Sequence, residues 1–281
     1  MTPYYQNPSV TLYHGDCLEI MPQFAPGSFA AAITDPPYGH NNNNGDLISR
    51  KYVALGIKGK GETCRPILND GPEALEIFER FCAEAARLNC CCCCCCGGGG
   101  GPDPQFARWA LILDRYFKFA QQVIWDKGKM GMGWHYRRST ECILVGYRKG
   151  LKKAPWYSTS HTVENIIRPG DYGIRKIIPT ANDHPTPKPV ALFEHFIRLH
   201  TPEGGTILDP FAGSGTAGVA AMRTGRKAAL IELEEKYCEL AAKRLEAEAS
   251  PDGRAALGQK VRQYPPQSIS LQAVAPSFRS S

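Results

Sequence analysis

Thr206-Ile207-Leu208-Asp209-Pro210-Phe211-Ala212-Gly213-Ser214-Gly215-Thr216 runs from an apolar strand into a turn with two glycines. A small-residue helix, Ala217 to Thr224, follows, and Gly225 suits the position where a helix ends in a left-handed residue. Gly213 and Gly215 permit a tight turn and let the backbone approach a ligand where the helix starts. The spacing reads as lacking the third glycine of a dinucleotide fingerprint, since Gly218 stands only three positions after Gly215. The turn alone therefore stays open between a structural bend and a ligand cradle. The next strand, Ala228-Ala229-Leu230-Ile231, ends in Glu232. An acid roughly 20 residues after such a turn can take both hydroxyls of a ribose. Turn and acid together read as a nucleoside-cofactor site.

A second strand end lies far upstream. Phe29-Ala30-Ala31-Ala32-Ile33-Thr34 is an apolar run, and Asp35-Pro36-Pro37-Tyr38 stops it. The prolines lack donors and fix φ, and Pro36 restrains Asp35 as well. A carboxylate, a backbone carbonyl and an aromatic ring are thereby held at a strand end. Such a group of atoms suits a flat, amino-bearing ring.

Between and around these sites, strands alternate with helices. Val10-Thr11-Leu12-Tyr13-His14 is a strand that Gly15-Asp16 ends. After Pro72, the residues Ala74, Leu75, Phe78, Phe81, Cys82, Ala85 and Leu88 keep the spacing of one buried helix face. Asp103-Pro104 reads as a cap and first turn, and the helix it opens aligns Phe106, Trp109, Ala110, Leu113 and Phe117. Gln122 to Trp125 and Glu141 to Tyr147 read as strands, Val190 to His200 as an amphipathic helix. A last helix carries Tyr237, Leu240, Ala241 and Leu245. This alternation predicts an α/β fold with a doubly wound, mostly parallel sheet. Ligands of such sheets sit beyond the carboxyl ends of the strands. Asp16, Asp35, Gly97 through Gly101, Asp209 and Glu232 are expected on one shared rim.

The 281 residues suit one core, expected over 1–249, with a disordered tail over 250–281. The segments 39–71 and 150–184 are polar and irregular and read as insertions. No run approaches the roughly 20 apolar residues of a membrane span, so no membrane partner is expected. The first residues lack a basic region followed by an apolar one, which predicts a cytoplasmic protein. A net charge of +6, from 33 basic and 27 acidic residues, permits nucleic acid without demanding it. Basic residues gather at Arg50-Lys51, Lys58-Lys60, Arg137-Arg138 and Arg148 through Lys153. Each cluster is open to a solvated-surface reading; together they favour phosphate contacts.

Seven of the twelve cysteines are consecutive, Cys90 through Cys96, which is no disulfide framework. The run lies where a central strand is needed, and cysteine is small, apolar and often buried. Zinc is the alternative, but consecutive residues of a strand point apart, whereas zinc ligands converge from turns. His135, His161 and His184 show no ligand spacing either, so no metal is expected. Gly97 through Gly101 then leave room for a ligand or serve as a flexible connector.

Taken together, these motifs resemble the β class of amino-directed DNA methyltransferases, which use S-adenosylmethionine. Asp35, Pro36, Pro37 and Tyr38 match that family's catalytic motif. Asp209, Phe211, Ala212, Gly213, Ser214, Gly215 and Thr216 resemble its cofactor motif. His184-Pro185-Thr186-Pro187-Lys188-Pro189 is similar to the segment that holds the methionine end, through Thr186 and Lys188. Glu232 with Tyr237 resembles the ribose acid and its helix, and Asp16 the acid near the adenine. The similarity touches most of residues 10 to 248. A catalytic motif before the cofactor motif implies the S-adenosylmethionine methyltransferase fold, Rossmann-like and circularly permuted. RNA guanine-amino and protein glutamine methyltransferases resemble the opposite order.

The resemblance implies a site-specific enzyme acting on double-stranded DNA. The target base is flipped out at a cost of a few kcal/mol, stacks on Tyr38, and donates its amino hydrogens to Asp35 and the Pro36 carbonyl. Direct displacement on the methyl group follows, with positioning as a main contribution. Aspartate at position 35 points to adenine N6; the cytosine N4 enzymes more often resemble S-P-P-Y, and cytosine stays as the alternative. A silent nucleic-acid binder is the reading from another class. Sequence recognition is expected in 39–71 and 126–184, with Arg137, Arg138, Trp156 and Tyr157 as DNA contacts. So short a recognition region implies a short target or help from a second subunit, with a homodimer as the assembly in the latter case. A cognate restriction endonuclease is the further partner that such an enzyme can have.

Overall fold

The computed structural model describes residues 1–39, 71–90, 92–97, 106–128, 139–159, 162–174 and 188–250. The expectations for Gly98 through Gly101, Asp103-Pro104, Arg137, Arg138, His135, His161, His184 and Thr186 lie outside them. So do those for most of 39–71 and for the tail beyond Ser250.

Among the described residues the strands form a nine-stranded sheet in the order β1-β2-β9-β8-β3-β4-β6-β5-β7. These are β1 (Tyr5–Gln6), β2 (Val10–His14), β3 (Ala31–Thr34), β4 (Cys92–Gly97) and β5 (Phe117–Asp126). The set is completed by β6 (Thr140–Arg148), β7 (Ile166–Ile167), β8 (Thr206–Asp209) and β9 (Lys227–Glu232). The helices are α1 (Cys17–Ile20), α2 (Ala74–Arg87), α3 (Phe106–Tyr116), α4 (Val190–His200), α5 (Thr216–Arg223) and α6 (Glu235–Ala249).

Strand alternation sorts the core into two layers. Ala31, Ile33, Ile207 and Leu230 face one side with Phe193, Phe196, Ala217 and Leu245 of α4, α5 and α6. Ala32, Leu208 and Ile231 face the other with Ile20, Phe78, Phe81, Trp109 and Leu113 of α1, α2 and α3. There the Phe78 and Trp109 rings stack with centroids 4.3 Å apart. Apolar residues on both faces explain the unbroken runs in β3, β8 and β9.

The central strands β2, β9, β8, β3 and β4 are mutually parallel. The sheet is nonetheless mixed. β6 lies between β4 and β5 and runs antiparallel to both. Phe117, read in sequence as part of a helix face, is the first residue of β5 and is fully buried. The helix face continues into the strand, so periodicity carries no break at the boundary. Cys92 to Cys96 of the cysteine run lie in β4, paired with β3 on one side and β6 on the other.

Chain order is permuted relative to space. β2, near the start, pairs with β9, near the end, His14 facing Glu232. From β8 the chain passes outward to β9; from β3 it passes the other way to β4. The β8–β3 boundary is thus the topological switch point, where a crevice opens at the strand ends.

Gly218 differs from the sequence expectation. It stands two positions after Thr216 and does complete G-x-G-x-x-G with Gly213 and Gly215. A Cβ there would come within 2.8 Å of both Leu230 Cδ1 and Leu245 Cδ2. The glycine lets α5 lie close against β9 and α6.

Candidate active site

β3 ends at Thr34 because Pro36 cannot donate to a neighbouring strand. Beyond it Asp35 is partly buried, and both its oxygens are engaged. The Tyr38 hydroxyl donates to Oδ1, and the Lys188 ammonium donates to Oδ2 at 2.8 Å. Lys188 also donates to Oη of Tyr38 at 2.6 Å. The Tyr38 ring leans on Trp109, centroids 6.0 Å apart. Burial pushes the Asp35 carboxyl above its ordinary value, against the pull of Lys188 and Tyr38.

Lys188 arrives from just before α4, buried, where sequence similarity had placed it near the methionine end of a cofactor. Its ammonium sits on the Asp35–Tyr38 pair. Glu141, near the start of β6, lies 3.6 Å away through Oε2, and Lys127 Nζ donates to its Oε1 at 3.1 Å. Burial alone would raise the Glu141 carboxyl, but Lys188 and Lys127 hold it below the usual range.

Asp209 ends β8 and is 2% exposed. Its Oδ1 accepts from the Thr34 hydroxyl at 2.5 Å and from the Phe211 amide at 3.1 Å, which ties the ends of β8 and β3 together. Burial pushes its carboxyl up to about 7, opposed by those two bonds. The Phe211 ring meets Phe81 edge-on at 5.7 Å, and the Ala212 amide donates to the Ile231 carbonyl at 2.9 Å.

The glycine turn folds onto Glu232. Gly213 N–H donates to Oε2 at 2.7 Å and Glu234 N–H to Oε1 at 2.8 Å. Each carboxylate oxygen keeps a lone pair for a further donor. Burial raises this carboxyl, and the amide bonds oppose the shift. Gly215 holds φ +77°, left-handed, where a side chain would be strained and would press on Ala241. Ser214 and Thr216 turn elsewhere: Arg244 of α6 donates to both hydroxyls, at 3.1 and 3.0 Å. Across from the turn, Gly15 N–H donates to the Glu232 carbonyl at 2.9 Å, and Asp16 Oδ1 caps α1 through Leu18 N–H at 2.8 Å.

The structure therefore brings Asp16, Asp35, Tyr38, Lys188, Asp209, Gly213 and Glu232 to one rim. It does not bring Trp156 and Tyr157 there. The helix α4 runs from the rim at Lys188 to the opposite end of the sheet, about 16 Å away at 1.5 Å per residue. Tyr157 N–H donates to the Leu199 carbonyl at 2.9 Å, and the Trp156 ring meets His200 edge-on at 5.8 Å. Both residues therefore sit at that far end. Their aromatic character among basic residues suggested DNA contact; the packing on α4 accounts for Trp156 without it.

Thr34, Lys127, Glu141 and Arg244 were missed in the sequence. Thr34 could have been noticed as the last residue before Asp35. The others reach the site through strand and helix packing, and no local pattern marks them.

The rim is rich in carboxylates: Asp16, Asp35, Glu141, Asp209 and Glu232 lie there with Lys127 and Lys188. Such a field disfavours the pyrophosphate of a dinucleotide and suits a ligand with hydroxyls and positive charge.

Residues 29–243 match the profile of a DNA methylase family whose members act on N6 or N4 amino groups. Type II methyltransferase M2.DpnII of Streptococcus pneumoniae is 30% identical over 262 residues, covering 88% of this chain and 93% of that protein. Among solved structures, M1.HpyAVI in complex with S-adenosylmethionine is 26% identical with a TM-score of 0.55, over 84% of this chain and 99% of that one. The cytosine-N4-specific PvuII DNA methyltransferase shares the fold at a TM-score of 0.59, with 19% identity over 85% of this chain and 87% of its own.

Proposed function

This chain belongs to the DNA methylase family of N6- and N4-directed enzymes, and on that premise we propose that it methylates adenine N6 of a base flipped from double-stranded DNA. The observation that carries the proposal is the Asp35-Pro36-Pro37-Tyr38 strand end beside the glycine turn, across the β8–β3 switch point.

The rim fits S-adenosylmethionine. Glu232, with an acceptor left on each oxygen, suits the ribose hydroxyls, and the glycine turn leaves room beside it. Asp16 suits the adenine side. The carboxylates suit the positive sulfur and amino group. When bound, the cofactor supplies a methyl group on a cationic sulfur, an electrophile strong enough that no nucleophilic side chain is needed.

The protein's part is to hold the acceptor nitrogen. Asp35 and the Pro36 carbonyl accept hydrogen bonds from the target NH₂ and limit conjugation of its lone pair with the ring. Tyr38 stacks on the base. The rate gain comes largely from positioning. Aspartate at position 35 supports adenine. Cytosine N4 is the second reading, supported by a family that takes N4 as well as N6 amino groups. The Type II name of the S. pneumoniae relative supports a restriction–modification setting, with a cognate endonuclease as partner. Arg137 and Arg138 are kept as DNA contacts, the chain over 1–249 as one domain, and a homodimer as the working assembly.

Labelled-methyl transfer to unmethylated DNA tests the proposal. Asp35→Ala abolishes transfer and largely spares S-adenosylmethionine binding. Turnover at the wild-type rate in that variant would sink the assignment of Asp35.

A further inference from the structure

Each Asp35 oxygen that a target amino group would approach already holds one donor. Tyr38 donates to one oxygen of Asp35, and Lys188 donates to the other and to the Tyr38 hydroxyl. Lys188 competes with a base for this place, because its ammonium holds Asp35 Oδ2 and lies over the Tyr38 ring, 5.0 Å from the centroid. A buried ammonium that lets go of one carboxylate needs another close by, since an uncompensated buried charge is costly.

Glu141 offers one. Its side chain is 14% exposed, and its Oε1 is taken by Lys127. Its Oε2 is buried without a hydrogen-bond partner, an exception that calls for an explanation. That oxygen lies 3.6 Å from Lys188 Nζ, beyond hydrogen-bond length but within ion-pair reach. A shift of roughly 1 Å would bring the two to the length of a charge-assisted bond.

We propose that Glu141 is a positioning residue of methyl transfer: its open oxygen receives the Lys188 ammonium when the target base enters, which frees Asp35 and Tyr38 for the base. The inference rests on the methyl-transfer reading above. No proton changes hands in the step. Lys188 exchanges one carboxylate for another, and Lys127 stays on Glu141 throughout.

A purely structural Glu141 would make a different demand. Glutamine has the same shape and can still accept from Lys127, so Glu141→Gln would serve a structural role better than the shorter Glu141→Asp. A handover needs the charge, so the ranking reverses. The experiment measures kcat, KM for S-adenosylmethionine and melting temperature for both variants on unmethylated DNA. Glu141→Gln is expected to lower kcat about tenfold, equivalent to ~1.4 kcal/mol, with the cofactor KM unchanged. Glu141→Asp is expected to keep more of kcat than Glu141→Gln. In a Lys188→Met background the Gln substitution is expected to add no further loss, which separates the handover from any change in folding. Wild-type kcat in Glu141→Gln, a Gln variant at or above the Asp variant, or an undiminished loss in the Lys188→Met background would each overturn the role of Glu141. A wild-type protein that transfers no methyl group to DNA is the separate result that overturns the function itself, and the role of Glu141 with it.

Discussion

Asp209 gives the site a pH signature. Its carboxyl has an ordinary value of 3.8 and stands at about 7 in the folded chain, mainly through burial. Between those values the folded state holds the proton and the unfolded state releases it. The folded chain therefore binds more protons, and stability falls as pH rises from about 4 to about 7, then levels off. Asp209→Asn cannot ionise, so it escapes this fall. Denaturant melts at about pH 5 and about pH 8 are expected to show the variant gaining on wild type at the higher pH, by on the order of a few kcal/mol. A stability difference that does not change with pH would contradict this. At this scale the sequence was legible where chemistry sits in consecutive residues, as in Asp35 to Tyr38 and Asp209 to Thr216. It was not legible where partners meet across the fold. The hydroxyl that binds Asp209 comes from Thr34, 175 positions away, and Lys188 lies 153 positions from Asp35.

Elements followed their local patterns wherever those patterns were distinct. The helix over Val190–His200 and the strand over Thr206–Asp209 are those that spacing predicts. Even the cysteine run holds its place as β4, because a small apolar residue serves between two covered strands. The β5–β6 hairpin was harder. Each strand was readable alone, but the direction of β6 depends on pairing with β4 and β5, which no local period encodes. Gly218 shows how packing sets a residue at this scale. Alanine in its place would gain helix propensity of about 1 kcal/mol, but its Cβ would already lie 2.8 Å from two fully buried leucines, and a branched side chain adds to that crowding. Gly218→Val is expected to lose about 1–3 kcal/mol of stability in denaturant melts, as overpacked cores do. Stability at or above wild type would show that α5 does not need the close approach.

The whole molecule explains why two motifs so far apart in sequence lie side by side. Pairing of β2 with β9 joins an early strand to a late one, and pairing of β3 with β8 sets the Asp35 strand end beside the Asp209 strand end. Parallel direction then brings Asp16, Asp35, Asp209 and Glu232 to one edge. The same geometry places Trp156, on α4 at the opposite end, away from any base held by Asp35. Which base that is remains the central claim, and it rests on a single aspartate in the first position of the motif. The most direct measurement is to map modified bases in DNA from cells that express the chain, followed by nucleoside analysis of the same DNA. The account predicts N6-methyladenine at one short, recurrent sequence, absent when Asp35→Ala is expressed. N4-methylcytosine in its place, or DNA without any chain-dependent methylated base, would contradict it.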